Sequence, residues 1–205
     1  AQVNGRDCVD PQTKAALDII FNTIGWLPAL KEYVAQADGS MFPGLQFYLD
    51  SAKEYDEAYG GQGADHSYTV ILGEELGRIH CGGVPMAISV QTDMATPSLA
   101  QFGSEGLKQR YLVPAISGEA VAAIAVTEPD AGSDVAALRT RAVRDGDDWI
   151  INGTKLYITN GTQADWLCLL ARTSDEGGSR GISQIIVPTD TPGFRVSRSL
   201  KKMGM

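Results

Sequence analysis

The chain has 205 residues, enough for one large domain or two small ones and for a sizeable core. With 17 basic against 25 acidic side chains the formal net charge is −8, the wrong sign for a protein that grips nucleic acid. Three cysteines without a Cys-x-x-Cys pair, and only two histidines, argue against both a disulfide framework and a zinc site.

In chain order, Pro11 stands where a first helical turn begins and heads a helix through Leu17 and Phe21. Gly60-Gly61-Gln62-Gly63 marks a loop. Tyr68, Ile71, Leu72, Leu76 and Ile79 then recur at helical spacing, with Glu74, Glu75 and Arg78 mostly off that face. Another loop is expected around Gly82-Gly83 and Pro85, followed by a short helix from Pro97 through Phe102 and one from Ser104 through Leu107 and Tyr111.

Character changes near residue 120, where β-branched and aromatic runs begin to alternate with tight-turn dipeptides. Asp145-Gly146 separates 139–143 from 149–151, and Asn152-Gly153 leads into 156–159. Further runs at 166–171, 182–187 and 194–196 complete an antiparallel pattern. The expectation is α+β: a helical domain over 1–121, then an antiparallel, barrel-like β domain over 122–205. No apolar run is long enough to span a bilayer, and the first residues lack the pattern of a signal peptide. The reading is a soluble intracellular protein with reduced thiols at Cys8, Cys81 and Cys168, the last two packed inside.

Two segments carry chemistry. Residues 125–137 read Ala-Val-Thr-Glu-Pro-Asp-Ala-Gly-Ser-Asp-Val-Ala-Ala, with small residues set between two carboxylates behind a Thr and a Pro. Such a turn brings backbone N–H groups close to an anionic group, and hydroxyls at Thr127 and Ser133 add directional bonds. About twenty residues on comes Lys155-Leu-Tyr-Ile-Thr-Asn-Gly161, an aromatic and a second Thr before an Asn-Gly turn. Taken singly, the first reads as a strand ending in an ordinary Pro-Asp-x-Gly turn, the second as an outward Tyr and Thr on a strand.

In this order and spacing the two segments resemble the acyl-CoA dehydrogenase family of flavoenzymes. The resemblance implies FAD as cofactor. Thr127 would bond the pyrimidine edge of the isoalloxazine through its hydroxyl and backbone N–H, with Ile124, Val126 and Gly132 supplying further contacts. Ser133 would reach the pyrophosphate and the pantetheine arm of the substrate. Thr159 would lie at flavin N5, with Ile158 beside it and Tyr157 against the ring face, where many members have Trp. The stretch from Cys81 to Pro97 looks like the helix lining the acyl pocket, which would make Met86 and Met94 substrate contacts. Its wording is similar to members acting on citronellyl-CoA, although each Met reads equally well as core.

The family's catalytic Glu sits in a C-terminal helical bundle with no counterpart in these residues, so no catalytic residue is assigned. The end at Lys201-Lys-Met-Gly-Met205 reads as a truncation. The implied whole protein oxidises an acyl-CoA to the trans-2-enoyl-CoA, by α-proton abstraction and β-hydride transfer to flavin N5. Its partner would be an electron-transferring flavoprotein. It would be a homotetramer or homodimer, bacterial and cytoplasmic or else in the mitochondrial matrix, with no nucleic-acid or membrane partner and no metal. The alternatives are a non-catalytic partner or inert fragment, or an acyl-CoA oxidase or flavin monooxygenase relative.

Overall fold

The computed structural model describes residues 2–3, 6–7, 55–61, 63, 67–77 and 82–202. The helix expected from Pro11, both histidines, Cys8 and Cys81 lie outside them. The chain divides into two compact units between Val121 and Ala122.

Near the start, β1 (Gln2–Val3) and β2 (Arg6–Asp7) pair antiparallel. This ladder departs from the wholly helical first domain expected from sequence. The helices follow: α1 (Ser67–Leu76), α2 (Gly83–Ser89), α3 (Pro97–Phe102), α4 (Glu105–Leu107) and α5 (Val113–Ser117). Gly83 and Pro85 open α2 where a loop was expected, because a proline in the first turn removes an N–H that has no helical partner anyway. The Ser104 hydroxyl accepts the Leu107 N–H and caps α4, and Gly118 at φ +79° stops α5.

Two π-helical turns interrupt this run, Val90–Ala95 after α2 and Lys108–Leu112 between α4 and α5. A π turn widens the backbone spiral and redirects its carbonyls. In the first, Thr96 Oγ1 donates to the Gln91 carbonyl at 2.6 Å and the Tyr55 hydroxyl donates to the Thr92 carbonyl at 2.7 Å. Gln91 is itself buried, and its amide donates to the carbonyls of Ala115 and Ala120. Val84, Ile88, Leu99, Leu112 and Ile116 are among the buried apolar residues here.

The second unit is a five-stranded sheet of β3 (Ala122–Ala125), β4 (Arg141–Asp145), β5 (Asp148–Asn152), β6 (Trp166–Arg172) and β7 (Ile182–Pro188). β6 is central. It pairs antiparallel with β7 along its whole length, and parallel with β3 from Ala122↔Trp166 to Ala125↔Leu169. β4 joins it, also parallel, at Arg141↔Arg172 and forms an antiparallel hairpin with β5. The sheet is therefore mixed, which corrects the antiparallel expectation. The long connection from β3, which holds the β4–β5 hairpin, brings β6 back in the same direction as β3.

Three local readings also change. Gly153 makes no hairpin: a Cβ there would fall on the Thr140 side chain, so glycine serves close packing. Residues 156–159 form no strand, since Tyr157 turns to φ +59°. Residues 194–196 are irregular, although Phe194 packs against the core. That core gathers Ala123, Ala125, Ala142, Leu167, Leu169 and Ala171, with Ile151, Ile158, Ile185 and Val187 against it. Cys168 is buried. No helix among the described residues is long and apolar enough to cross a membrane.

Candidate functional site

At the end of β3 the chain leaves the sheet through Val126 and Thr127 and folds into a tight turn. There the Glu128 N–H donates to the Ala131 carbonyl at 2.8 Å and the Ala131 N–H donates back at 3.3 Å. Pro129 and Asp130 occupy the tip, both exposed. Gly132, Ser133 and Asp134 follow, exposed, before a 3-10 turn at Val135–Ala137 returns the chain to β4.

The organiser of this loop is Glu128, only 6% exposed. Its carboxylate accepts the backbone N–H of Arg139 at 2.6 Å and of Thr140 at 2.9 Å, closing the loop at its base. A third bond arrives from Lys155 Nζ at 2.9 Å. Burial by itself pushes the Glu128 pKa up, but hydrogen bonds from Thr140, Arg139 and Lys155 overcome it and hold the carboxyl at about 2. The Lys155 side chain is nearly as buried, 9% exposed. Burial lowers its pKa while Glu128 pulls it back up.

Lys155 brings the second segment alongside the first. Its ammonium also donates to the Val126 carbonyl at 2.9 Å, and the Leu156 N–H donates to the Thr127 carbonyl at 2.8 Å. Three successive residues, 126 to 128, are thus held by two, 155 and 156. Beyond them Tyr157 (φ +59°) and Asn160 (φ +65°) bend the chain through a double turn, with Gly161 N–H on the Ile158 carbonyl. The Asn160 side chain donates to the Ala122 carbonyl at 3.4 Å, tying this turn back to β3.

The residues singled out from sequence fall into three groups. Thr127, Ser133 and Thr159 make no hydrogen bond through hydroxyl or backbone N–H to another described residue. Thr127 and Thr159 are half-buried and Ser133 is exposed. Tyr157, 58% exposed, presents its ring at the surface. Ile124 is half-buried on β3, Val126 and Gly132 flank the turn, and Ile158 packs into the sheet core, which leaves only its backbone for a ligand. Met86 and Met94 belong to the helical unit, on α2 and its π turn, 37% and 44% exposed.

Glu128 and Lys155 escaped the sequence reading. Their signal was present: opposite charges, each beside a small or apolar run, at the head of the two segments. No group of three or more His, Cys, Asp or Glu among the described residues is placed to hold a metal ion. The two segments offer unspent amide and hydroxyl donors on a backbone clamped by a buried ion pair, a set able to bond acceptor atoms.

Comparison with known proteins decides the family. Residues 52–119 match the family model for the acyl-CoA dehydrogenase N-terminal domain, and residues 123–205 the one for its middle domain. The chain belongs to the acyl-CoA dehydrogenase family. A short-chain specific acyl-CoA dehydrogenase of Clostridium acetobutylicum is 38% identical over 151 residues, 74% of this chain and 40% of that protein. A cyclohex-1-ene-1-carbonyl-CoA dehydrogenase of Geobacter metallireducens is 45% identical over 72% of this chain and 39% of its own length. The crystal structure of an acyl-CoA dehydrogenase from Geobacillus kaustophilus superposes with a TM-score of 0.72 at 35% identity, over 86% of this chain and 50% of that one. A FAD complex of PigA gives 0.70 at 26% identity, over 91% and 46%. The chain thus spans about two fifths of the length of the curated relatives it matches.

Proposed function

We propose that this chain is the flavin-binding part of an FAD-dependent acyl-CoA dehydrogenase, with the isoalloxazine lying along residues 124–133 and 157–159. When bound, FAD supplies a two-electron acceptor for the substrate's C–H bond. The chain's own part is to hold and orient. Thr127 gives a hydroxyl and an N–H to the pyrimidine edge, Thr159 gives the same pair near N5, Tyr157 covers the ring, and Ser133 bonds the pyrophosphate. Met86 and Met94, within the helical unit, contact the acyl chain, and Gly132 lets the backbone approach. The proton-abstracting base comes from outside these residues, so the whole protein, acting on an acyl-CoA and passing electrons to an electron-transferring flavoprotein, is the functional unit.

One observation carries this reading: the unspent donors stand on two segments that Lys155 and Leu156 clasp to Val126, Thr127 and Glu128. A donor array of this kind stabilises negative charge that builds on a heteroaromatic ring. In the full-length protein, FAD titration of the apo form followed by an acyl-CoA series with a dye acceptor tests it. Thr127→Ala and Thr159→Ala are each expected to weaken FAD or slow dye reduction by roughly tenfold or more. A protein that takes up no flavin, or a holoprotein that reduces dye with no acyl-CoA, sinks the reading.

A further inference from the structure

The Val126 carbonyl and the Thr127 N–H belong to one peptide plate. No cis bond occurs among the described residues, so carbonyl and N–H point to opposite sides of that plate. Lys155 Nζ grips the carbonyl side at 2.9 Å, while the N–H side makes no bond to another described residue. The neighbouring plate is fixed as well, since the Thr127 carbonyl accepts the Leu156 N–H at 2.8 Å. Glu128, held by two backbone N–H groups, in turn fixes the ammonium at 2.9 Å. A cation on a carbonyl also polarises its amide and strengthens the N–H as a donor.

We propose that Lys155 is a positioning residue: anchored on Glu128, it orients and polarises the Val126–Thr127 peptide so that the Thr127 N–H faces the pyrimidine edge of bound FAD. This rests on the flavin reading above. A simple fold staple requires only that the buried charges be paired or removed together. The positioning role requires the cation on the Val126 carbonyl, and the two separate experimentally.

The test uses the full-length protein, FAD as probe, and three variants: Lys155→Met, Glu128→Gln with Lys155→Met, and Lys155→Arg. Apo melting, the FAD dissociation constant and the long-wavelength visible band of the bound flavin are read for each. Lys155→Met is expected to lower the melting point and weaken FAD. The double variant leaves no unpaired charge, so its melting point recovers in part, the Gln amide keeping one acceptor oxygen for the two backbone N–H groups, yet it still binds FAD roughly tenfold more weakly and with a shifted band. Lys155→Arg keeps the ion pair, but its planar head re-aims the carbonyl, so the band shifts while the melting point holds. A double variant with wild-type FAD affinity and band overturns the proposal. Should the methionine variants fail to fold, an unshifted band in Lys155→Arg overturns it alone. A wild-type protein that binds no flavin removes the functional reading and this inference with it, an outcome distinct from either.

Discussion

Among the described residues of the helical unit the buried polar side chains, Gln91 and Thr96, are neutral: Gln91 spans the carbonyls of Ala115 and Ala120, and Thr96, with half-buried Tyr55, satisfies a π turn. In the sheet unit Thr140 and Asn160 are buried and neutral, but the pair that joins the two loops is charged: Glu128 and Lys155 make four hydrogen bonds there. Amides and hydroxyls do not change state with pH and tolerate imperfect geometry. A buried ion pair is intolerant of losing either member, and it fixes backbone direction strongly. The π turn is held by the first chemistry, and the two loops that carry the unspent donors are joined by the second.

The sharpest way to break this contrast is Lys155→Met, which strands a buried carboxylate and is expected to cost about 3–5 kcal/mol in denaturant unfolding. A loss under 1 kcal/mol would mean that the pair is as dispensable as a surface contact. Acid comes next. Glu128 sits at about 2 in the fold against an ordinary 4.5, so its stabilisation is fully present above pH 4.5 and drains away as pH falls towards 2. The shift corresponds to roughly 3–4 kcal/mol. Sheet-unit amides should lose exchange protection across that window, and Glu128→Gln should abolish this part of the pH dependence.

On the neutral side, Gln91→Leu removes the donors to two carbonyls and is expected to cost about 1–3 kcal/mol, with no added acid sensitivity. An acid-dependent loss there would erase the distinction. Smallest of all is Arg141→Ala, which removes the exposed pair with Asp175 and should leave the denaturation midpoint unmoved.

Much of this was legible in sequence, for identifiable reasons. The helix at Pro97–Phe102 is announced by its own proline, and the β4–β5 hairpin by Gly146, which takes φ +61° between the strands. The runs that became β6 and β7 stand out by their apolar, β-branched content. What failed to show needed partners distant in sequence. Gly153 read as a turn residue, but it answers to Thr140, which only folding brings near. The parallel pairing of β3 with β6 depends on the route of a long connection, not on either strand's composition. Residues 156–159 have strand-forming side chains, yet their hydrogen bonding and dihedrals serve the loop beside Glu128. The donor residues of the candidate site were visible because a family pattern marks them. Glu128 and Lys155 went unassigned because their roles emerge only when the two segments meet.

Tyr157 carries a last consequence. A side chain with a Cβ, held at φ +59°, lies uphill of its preferred backbone by roughly 1 kcal/mol, and a glycine would relax there. A screen for heat resistance alone should therefore enrich Tyr157→Gly and strip the aromatic from that turn. Robustness and the proposed covering of the flavin ring pull this position in opposite directions, so a thermostable variant that keeps the aromatic has to be sought elsewhere in the chain.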